Sequence, residues 1–181
     1  MVNEFEILKD VTGKLAANNI AYMLSGSTAM NYYVQPRMTR DIDIIVEINE
    51  PEKFFDLFKE DYYINLGSIK AAVKEEQSFN IIHNEELVKV DFIVRKNSEY
   101  RKKEFERRIS VKFEDFEIYI VSIEDLIISK VIWALDSNSE MQNRDIKILL
   151  GEKVDLDYIE KWAAKLNITD YLKRFEIGKQ K

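Results

Sequence analysis

The chain has 181 residues and a formal net charge of −6, from 27 lysines and arginines against 33 aspartates and glutamates. That length suits one domain, or one domain with a helical extension, and the 46% apolar share is enough for a packed core. The absence of cysteine and the single histidine exclude disulfides, thiolate zinc sites, a cysteine nucleophile and any multi-histidine metal centre. Glu4, Glu6 and Asp10 lie inside an amphipathic N-terminal pattern that is no signal peptide, and no apolar run approaches the ~20 residues that span a bilayer. A cytoplasmic protein with no membrane partner is expected.

In chain order, Phe5, Leu8, Val11 and Leu15 recur at helical spacing, and Asn18-Asn19 ends that helix. Ile20 to Leu24 reads as a short strand, broken at Ser25-Gly26-Ser27 into a helix through Ala29, Met30 and Tyr33 that Pro36 closes. Asp41 to Ile48 is a strand, and Pro51 suits the first turn of a helix whose apolar side is Phe54, Phe55 and Phe58. Tyr62 to Leu66 is predicted as a strand and Ser68 to Gln77 as a short helix. Phe79 to Ile82 and Leu87 to Val94 read as a hairpin around Asn84-Glu85-Glu86. The basic stretch after Ser98 is helical in pattern, and Val111 to Phe113 with Phe116 to Val121 forms a strand pair across Asp115.

From Ser122 onward only helices are predicted. Ser122-x-x-Asp125 is a capping-box pattern opening an apolar helix from Leu126 to Leu135. A polar loop, Asp136 to Gln142, precedes a helix from Arg144 to Leu150, and two amphipathic helices follow around Tyr158-Trp162 and Tyr171-Phe175. The expected fold class is α+β: a mixed sheet flanked by helices over residues 1–121, then a helical region over 122–181.

Three short segments carry the chemistry. Leu24-Ser25-Gly26-Ser27 lies at a strand-to-helix junction, where glycine lets a ligand approach the backbone and the helix start offers N–H groups to a phosphate. In Asp41-Ile42-Asp43-Ile44, strand alternation puts both carboxylates on one face, a geometry that suits a hard divalent cation such as magnesium. Taken alone, the pair equally fits the polar edge of an amphipathic strand. Asp91, inside Lys89-Val90-Asp91-Phe92-Ile93-Val94, is costly as a lone buried charge unless a cation is shared with the earlier pair. On an edge strand it would instead face solvent beside Lys89.

Together these segments resemble the nucleotidyltransferase superfamily related to DNA polymerase beta. Its pattern is a Gly-Gly or Gly-Ser turn, a spacer, Asp-apolar-Asp and a third carboxylate on a later strand; Ser25 departs from a strictly apolar residue before the glycine. Ser122 to Lys130 and Asn143-Arg144-Asp145-Ile146 look like the C-terminal half of AbiEii/MenT-type toxin nucleotidyltransferases, with Lys130 and Asp145 at positions that serve the active site there. The resemblance covers roughly residues 20–150. It implies a nucleotidyltransferase fold, a nucleoside triphosphate as substrate and two magnesium ions held by Asp41, Asp43 and Asp91. Gly26 and Ser27 would cradle the beta and gamma phosphates, and Lys130 would neutralise developing charge.

From the residues alone, Lys130 shares a helix face with Leu126, Trp133 and Ala134, and Asp145 shares one with Ile148 and Leu149. A structural Lys130–Asp145 ion pair locking two helices is the alternative to a catalytic lysine. Arg37 and Arg40, before the aspartates, either contact phosphates or are solvated, and His83 reads as a surface residue. The acceptor implied by the toxin-like half is an RNA end, guided by the basic stretch from Arg95 to Arg108, whose start directly behind the Asp91 strand places it beside the site. The other reading of that stretch is a solvated helix face, since Glu99, Glu104 and Glu106 interleave. An antitoxin or other partner protein is a further expectation. An antibiotic nucleotidyltransferase, a protein-adenylylating antitoxin and a non-catalytic nucleotide-binding module are the rival readings.

Overall fold

The computed structural model describes residues 4–36, 41–113 and 115–175. They fall into two compact units, residues 4–29 with 41–121 and residues 30–36 with 122–175.

The first unit is built on one seven-stranded mixed sheet. Its strands are β1 (Tyr22–Leu24), β2 (Asp41–Val46), β3 (Tyr62–Tyr63), β4 (Ser78–His83), β5 (Lys89–Val94), β6 (Ile109–Phe113) and β7 (Phe116–Ile120), in spatial order β3-β4-β5-β2-β1-β7-β6. The chemistry-bearing strands β2 and β5 lie side by side in parallel at its centre, while β1 pairs antiparallel with β2 and parallel with β7. The predicted hairpin is present as β4 and β5, antiparallel, with Leu87 at a positive φ of 56° in the turn.

Helices α1 (Glu4–Ala17), α3 (Pro51–Phe58), α4 (Leu66–Glu75) and α5 (Glu99–Glu106) belong to this unit, and α2 (Gly26–Tyr33) starts in it. One face of the sheet is apolar by alternation: Ile42, Ile44 and Val46 on β2, and Val90, Phe92 and Val94 on β5, are buried. Phe92 meets Phe54 and Phe58 of α3 with ring centroids 5.0 and 5.8 Å apart, and Phe79 of β4 completes the cluster at 5.3 Å from Phe92. This aromatic face leaves the alternate positions of β2 and β5, which include all three aspartates, to the opposite side of the sheet.

Two expected elements differ. The strand predicted over Tyr62 to Leu66 is only Tyr62–Tyr63, because the Asn65 side chain accepts from the Ser68 N–H at 2.9 Å and caps α4, which begins at Leu66. The single histidine is half-buried rather than at the surface: its Nδ1 accepts from the Glu86 N–H at 3.1 Å, and its ring lies edge-on to Tyr62 at 5.1 Å.

The second unit is helical: α6 (Ile123–Ser137), α7 (Glu140–Leu149), α8 (Leu156–Lys165) and α9 (Thr169–Leu172), then a 3-10 turn at Lys173–Phe175. Helix α6 packs against α7, α8 and α9. The Ser122 hydroxyl accepts from the Asp125 N–H and donates to the Asp125 carboxylate, the capping arrangement expected there. The polar loop expected from Asp136 to Gln142 is much shorter, since α6 continues to Ser137 and Ser139 caps α7 by accepting from the Gln142 N–H. No helix among the described residues is long and apolar enough to cross a membrane.

Candidate active site

Strand register brings the carboxylates together. Asp43 on β2 is directly opposite Asp91 on β5, and Asp41 is directly opposite Lys89. Because Asp41 and Asp43 are two apart on one strand, and Lys89 and Asp91 two apart on the next, all four side chains leave the same face of the sheet. On the far side of β5, Asn80 of β4 is opposite Asp91 and exposed. Asn80 was not among the site residues expected from the sequence; its polar position between buried Phe79 and Ile81 is the signal that marks this face.

The Gly-Ser turn is seated against these aspartates. The Ser25 N–H donates to the Asp43 carbonyl at 2.9 Å, and the Thr28 hydroxyl, in the first turn of α2, donates to the Asp41 carbonyl at 3.2 Å. Gly26 has a φ of +59°, which L side chains rarely adopt, and its α-carbon lies against the Asp43 side chain. A Cβ at this position would stand 2.7 Å from Asp43 Cγ, with Oδ2 closer still. The glycine is therefore required twice over, by backbone conformation and by the carboxylate that occupies the space of a side chain.

Lys89 brings a cation to the cluster. Its Nζ is 2.7 Å from Asp91 Oδ2 and 3.5 Å from Asp41 Oδ1. The hydrogen bond with Asp91 chiefly, and the charge of Asp41 in addition, hold this ammonium above the ordinary lysine value against a smaller opposing effect of burial. Among the described residues no group of three or more histidine, aspartate or glutamate side chains is placed so as to hold a metal ion. The donor set nevertheless has the chemistry of a hard-cation site: carboxylate oxygens from three positions on one sheet face, two of them already sharing one positive charge. Arg37 and Arg40 lie outside the described residues.

In the helical unit, Lys130 Nζ donates to Asp145 Oδ2 at 2.8 Å and to Gln142 Oε1 at 3.1 Å. Both charged side chains are buried, 3% and 4% exposed, so the pair locks α6 to α7 away from water. The predicted faces need correction. Trp133 is 52% exposed and Ile148 50% exposed, so neither shares the buried face of its ionic neighbour. Gln142, read as loop from the sequence, is the third member of the cluster because α7 begins two residues before it.

The basic stretch follows directly on β5. Strand β5 carries the chain away from Asp91, and the Arg95 N–H bonds to the Val46 carbonyl at the far end of β2. Arg95 is four residue steps on from Asp91, about 13 Å at ~3.3 Å per residue. Several of its charges also have structural partners: Arg95 pairs with Glu47, Arg101 with the buried Glu104 at 2.8 Å, and the Arg108 guanidinium lies 4.5 Å from the Phe105 ring centroid and 5.2 Å from that of Tyr119. Lys96 and Lys102 are exposed.

The family model of the nucleotidyl transferase AbiEii toxin, type IV toxin–antitoxin system, matches residues 13–166. The chain belongs to that family. The matched segment contains the Gly-Ser turn, all three aspartates and the Lys130–Asp145 pair. No curated protein matches the chain. Among solved structures, this AbiEii-family chain is similar to the antibiotic-resistance factor ANT(2'')-Ia, with 9% identity, 94% of each chain covered and a TM-score of 0.65. It is also similar to the lincosamide antibiotic adenylyltransferase LnuA in its lincomycin-bound structure, with 16% identity, 82% of this chain and 96% of that one covered, and a TM-score of 0.57. An antigenic nucleotidyltransferase-like protein from Paracoccidioides brasiliensis matches at 15% identity over 80% of this chain and 74% of that one, with a TM-score of 0.53. These likenesses identify the fold as that of nucleotidyltransferases.

Gly26→Ala offers a direct test of the turn. The left-handed backbone alone costs an alanine about 1–2 kcal/mol, which for a chain of this size lowers Tm by about 2–8 °C. Overlap with Asp43 adds to that cost, so the double substitution Gly26→Ala with Asp43→Ala is expected to lose less than the two single losses added. Strict additivity in thermal unfolding would show that the two residues do not compete for the same space.

Proposed function

We propose that this chain transfers a nucleoside monophosphate from a nucleoside triphosphate to an acceptor hydroxyl, with magnesium held by Asp41, Asp43 and Asp91. The observation that carries the reading is the register of Asp43 on Asp91, with Asp41 on the same face and the start of α2 packed against Asp43 through Gly26. A pair of magnesium ions would supply Lewis-acid stabilisation to the attacking and departing oxygens of an in-line displacement. Asp41 and Asp43 bind and orient from one strand; Asp91 closes the site from the next. The Asp91 carboxylate accepts the proton of the acceptor hydroxyl as its oxygen bonds to the alpha phosphorus and the bond to pyrophosphate breaks. The start of α2, at Gly26 and Ser27, receives the anionic beta and gamma phosphates through backbone N–H groups, where the helix dipole also favours them.

The acceptor in this reading is an RNA end, and the chain acts as the toxin of a toxin–antitoxin pair with a cognate partner protein in the cytoplasm. The toxin family supports the toxin role. The antibiotic-directed alternative draws on one specific observation: an antibiotic-resistance factor and a lincosamide antibiotic adenylyltransferase share the fold and are matched over nearly their whole length. Incubation with each labelled triphosphate, magnesium and either total RNA, a panel of aminoglycosides and lincosamides, or co-purified partner protein separates the acceptors. Label in RNA, abolished by EDTA, is the expected result; label only in an antibiotic or a protein would overturn the RNA assignment, and no label in any arm would overturn transfer itself.

The exposed lysines of the basic stretch are tested in the same assay. Reversing Lys96 and Lys102 to glutamate, which spares the partnered arginines, is expected to weaken RNA labelling about tenfold at moderate salt while triphosphate binding persists. Equal labelling by the reversed protein would make the stretch a solvated surface only.

A further inference from the structure

We infer that Lys89 is the site's internal counter-ion: its ammonium takes the place between Asp41 and Asp91 that a divalent cation would occupy, must withdraw when the metal loads, and so sets how tightly the site takes its metal. The inference rests on the metal-dependent reading above and adds to it a residue that competes with the metal.

The placement follows from the register. Lys89 is two residues before Asp91 on β5 and directly opposite Asp41 on β2, so its side chain emerges on the carboxylate face between them. Its other cross-strand neighbour is Ile82 of β4, which offers the ammonium no charge partner. The lysine accordingly contacts Asp91 at 2.7 Å and Asp41 at 3.5 Å. Three aspartates on one sheet face repel one another when no cation is near, and an intramolecular ammonium relieves that repulsion.

The same ammonium is an obstacle to a metal. A divalent ion bound to Asp91 and Asp41 would take the oxygens that Lys89 now uses and would stand within a few ångströms of a like charge. The two like charges repel across the shared carboxylates, so by linkage whatever strengthens one weakens the other. Lysine suits a contact that has to break. It is a compact charge on a flexible four-carbon stem, whereas an arginine fork binds carboxylates bidentately. At 37% exposure the Lys89 side chain also has solvent into which to turn.

The measurement is a titration of the full chain with Mn2+, following the free ion by electron paramagnetic resonance, with and without a non-hydrolysable triphosphate analogue. Lys89→Met is expected to bind Mn2+ roughly tenfold more tightly than the parent, as removal of one adjacent unit charge implies. Lys89→Arg is expected to bind no more tightly than the parent. Metal-free Lys89→Met should melt lower than the parent and gain more in Tm from Mn2+. Equal or weaker Mn2+ binding by Lys89→Met, where the parent binds the ion, overturns this inference alone. Failure of the parent and both variants to bind Mn2+ even beside the analogue overturns the metal-dependent reading and the inference with it. If Lys89→Met does not fold, Lys89→Gln removes the same charge and is judged by the same outcomes.

Discussion

Asp43→Asn and Asp91→Asn are each expected to lower nucleotide transfer by about a thousandfold or more, while Tm stays level or rises. Asparagine keeps the shape and one acceptor oxygen, so the Gly26–Asp43 packing and the β2–β5 register are undisturbed. What it removes is the charge that draws a cation and, at position 91, the base that takes the acceptor proton. Relief of repulsion between opposed carboxylates offsets the loss of the ion pair to Lys89 in the Asp91 variant. Asp41→Asn belongs to the same series. The second readout is thermal: magnesium with a triphosphate should raise the melting temperature of the parent, since a ligand stabilises by RT ln(1 + [L]/Kd), and leave the variants unmoved. An equal ligand-induced rise in all four proteins would show that the nucleotide is bound without these carboxylates.

How much of this arrangement was readable from the sequence differs between its parts. The Asp-x-Asp strand and the Asp91 strand were legible because period-two alternation in two very apolar segments leaves the carboxylates only one shared face. That Asp43 and Asp91 are opposite one another was not legible, because register between β2 and β5 is fixed by tertiary pairing and no turn joins them. For the same reason Lys89 and Asn80 acquired meaning only from their cross-strand partners. The distance from Asp91 to the basic stretch is likewise set by the strand, which moves the chain on at ~3.3 Å per residue.

Local chemistry decided the boundaries that periodicity missed. Tyr62-Tyr63-Ile64-Asn65-Leu66 has an extended, β-favouring composition, yet the Asn65 cap commits Leu66 to a helix. In α6 the buried residues include Leu126, Ile127, Lys130, Val131 and Ala134, whereas Trp133 is exposed. Three- and four-residue offsets from Lys130 both looked inward on paper; only packing chose between them.

Lys130→Met is expected to destabilise the protein by about 3–5 kcal/mol, because it leaves the Asp145 carboxylate buried without its cation. For a chain of this length that is a fall in Tm of about 6–20 °C. Asp145→Leu should cost a similar amount by removing the carboxylate that pairs with the buried ammonium. Carrying both substitutions together should recover most of the loss, since an apolar pair of similar volume between α6 and α7 needs no desolvation of charge. Recovery in the double variant is the signature of a pair that acts on stability, and two additive losses would exclude it. The double variant then answers the question the single ones cannot, because it is folded and lacks the lysine. If Lys130 also serves the triphosphate, as its place in the family resemblance implies, the stable double variant transfers no nucleotide. If the pair only locks two helices, that protein melts near the parent and transfers at the parent rate.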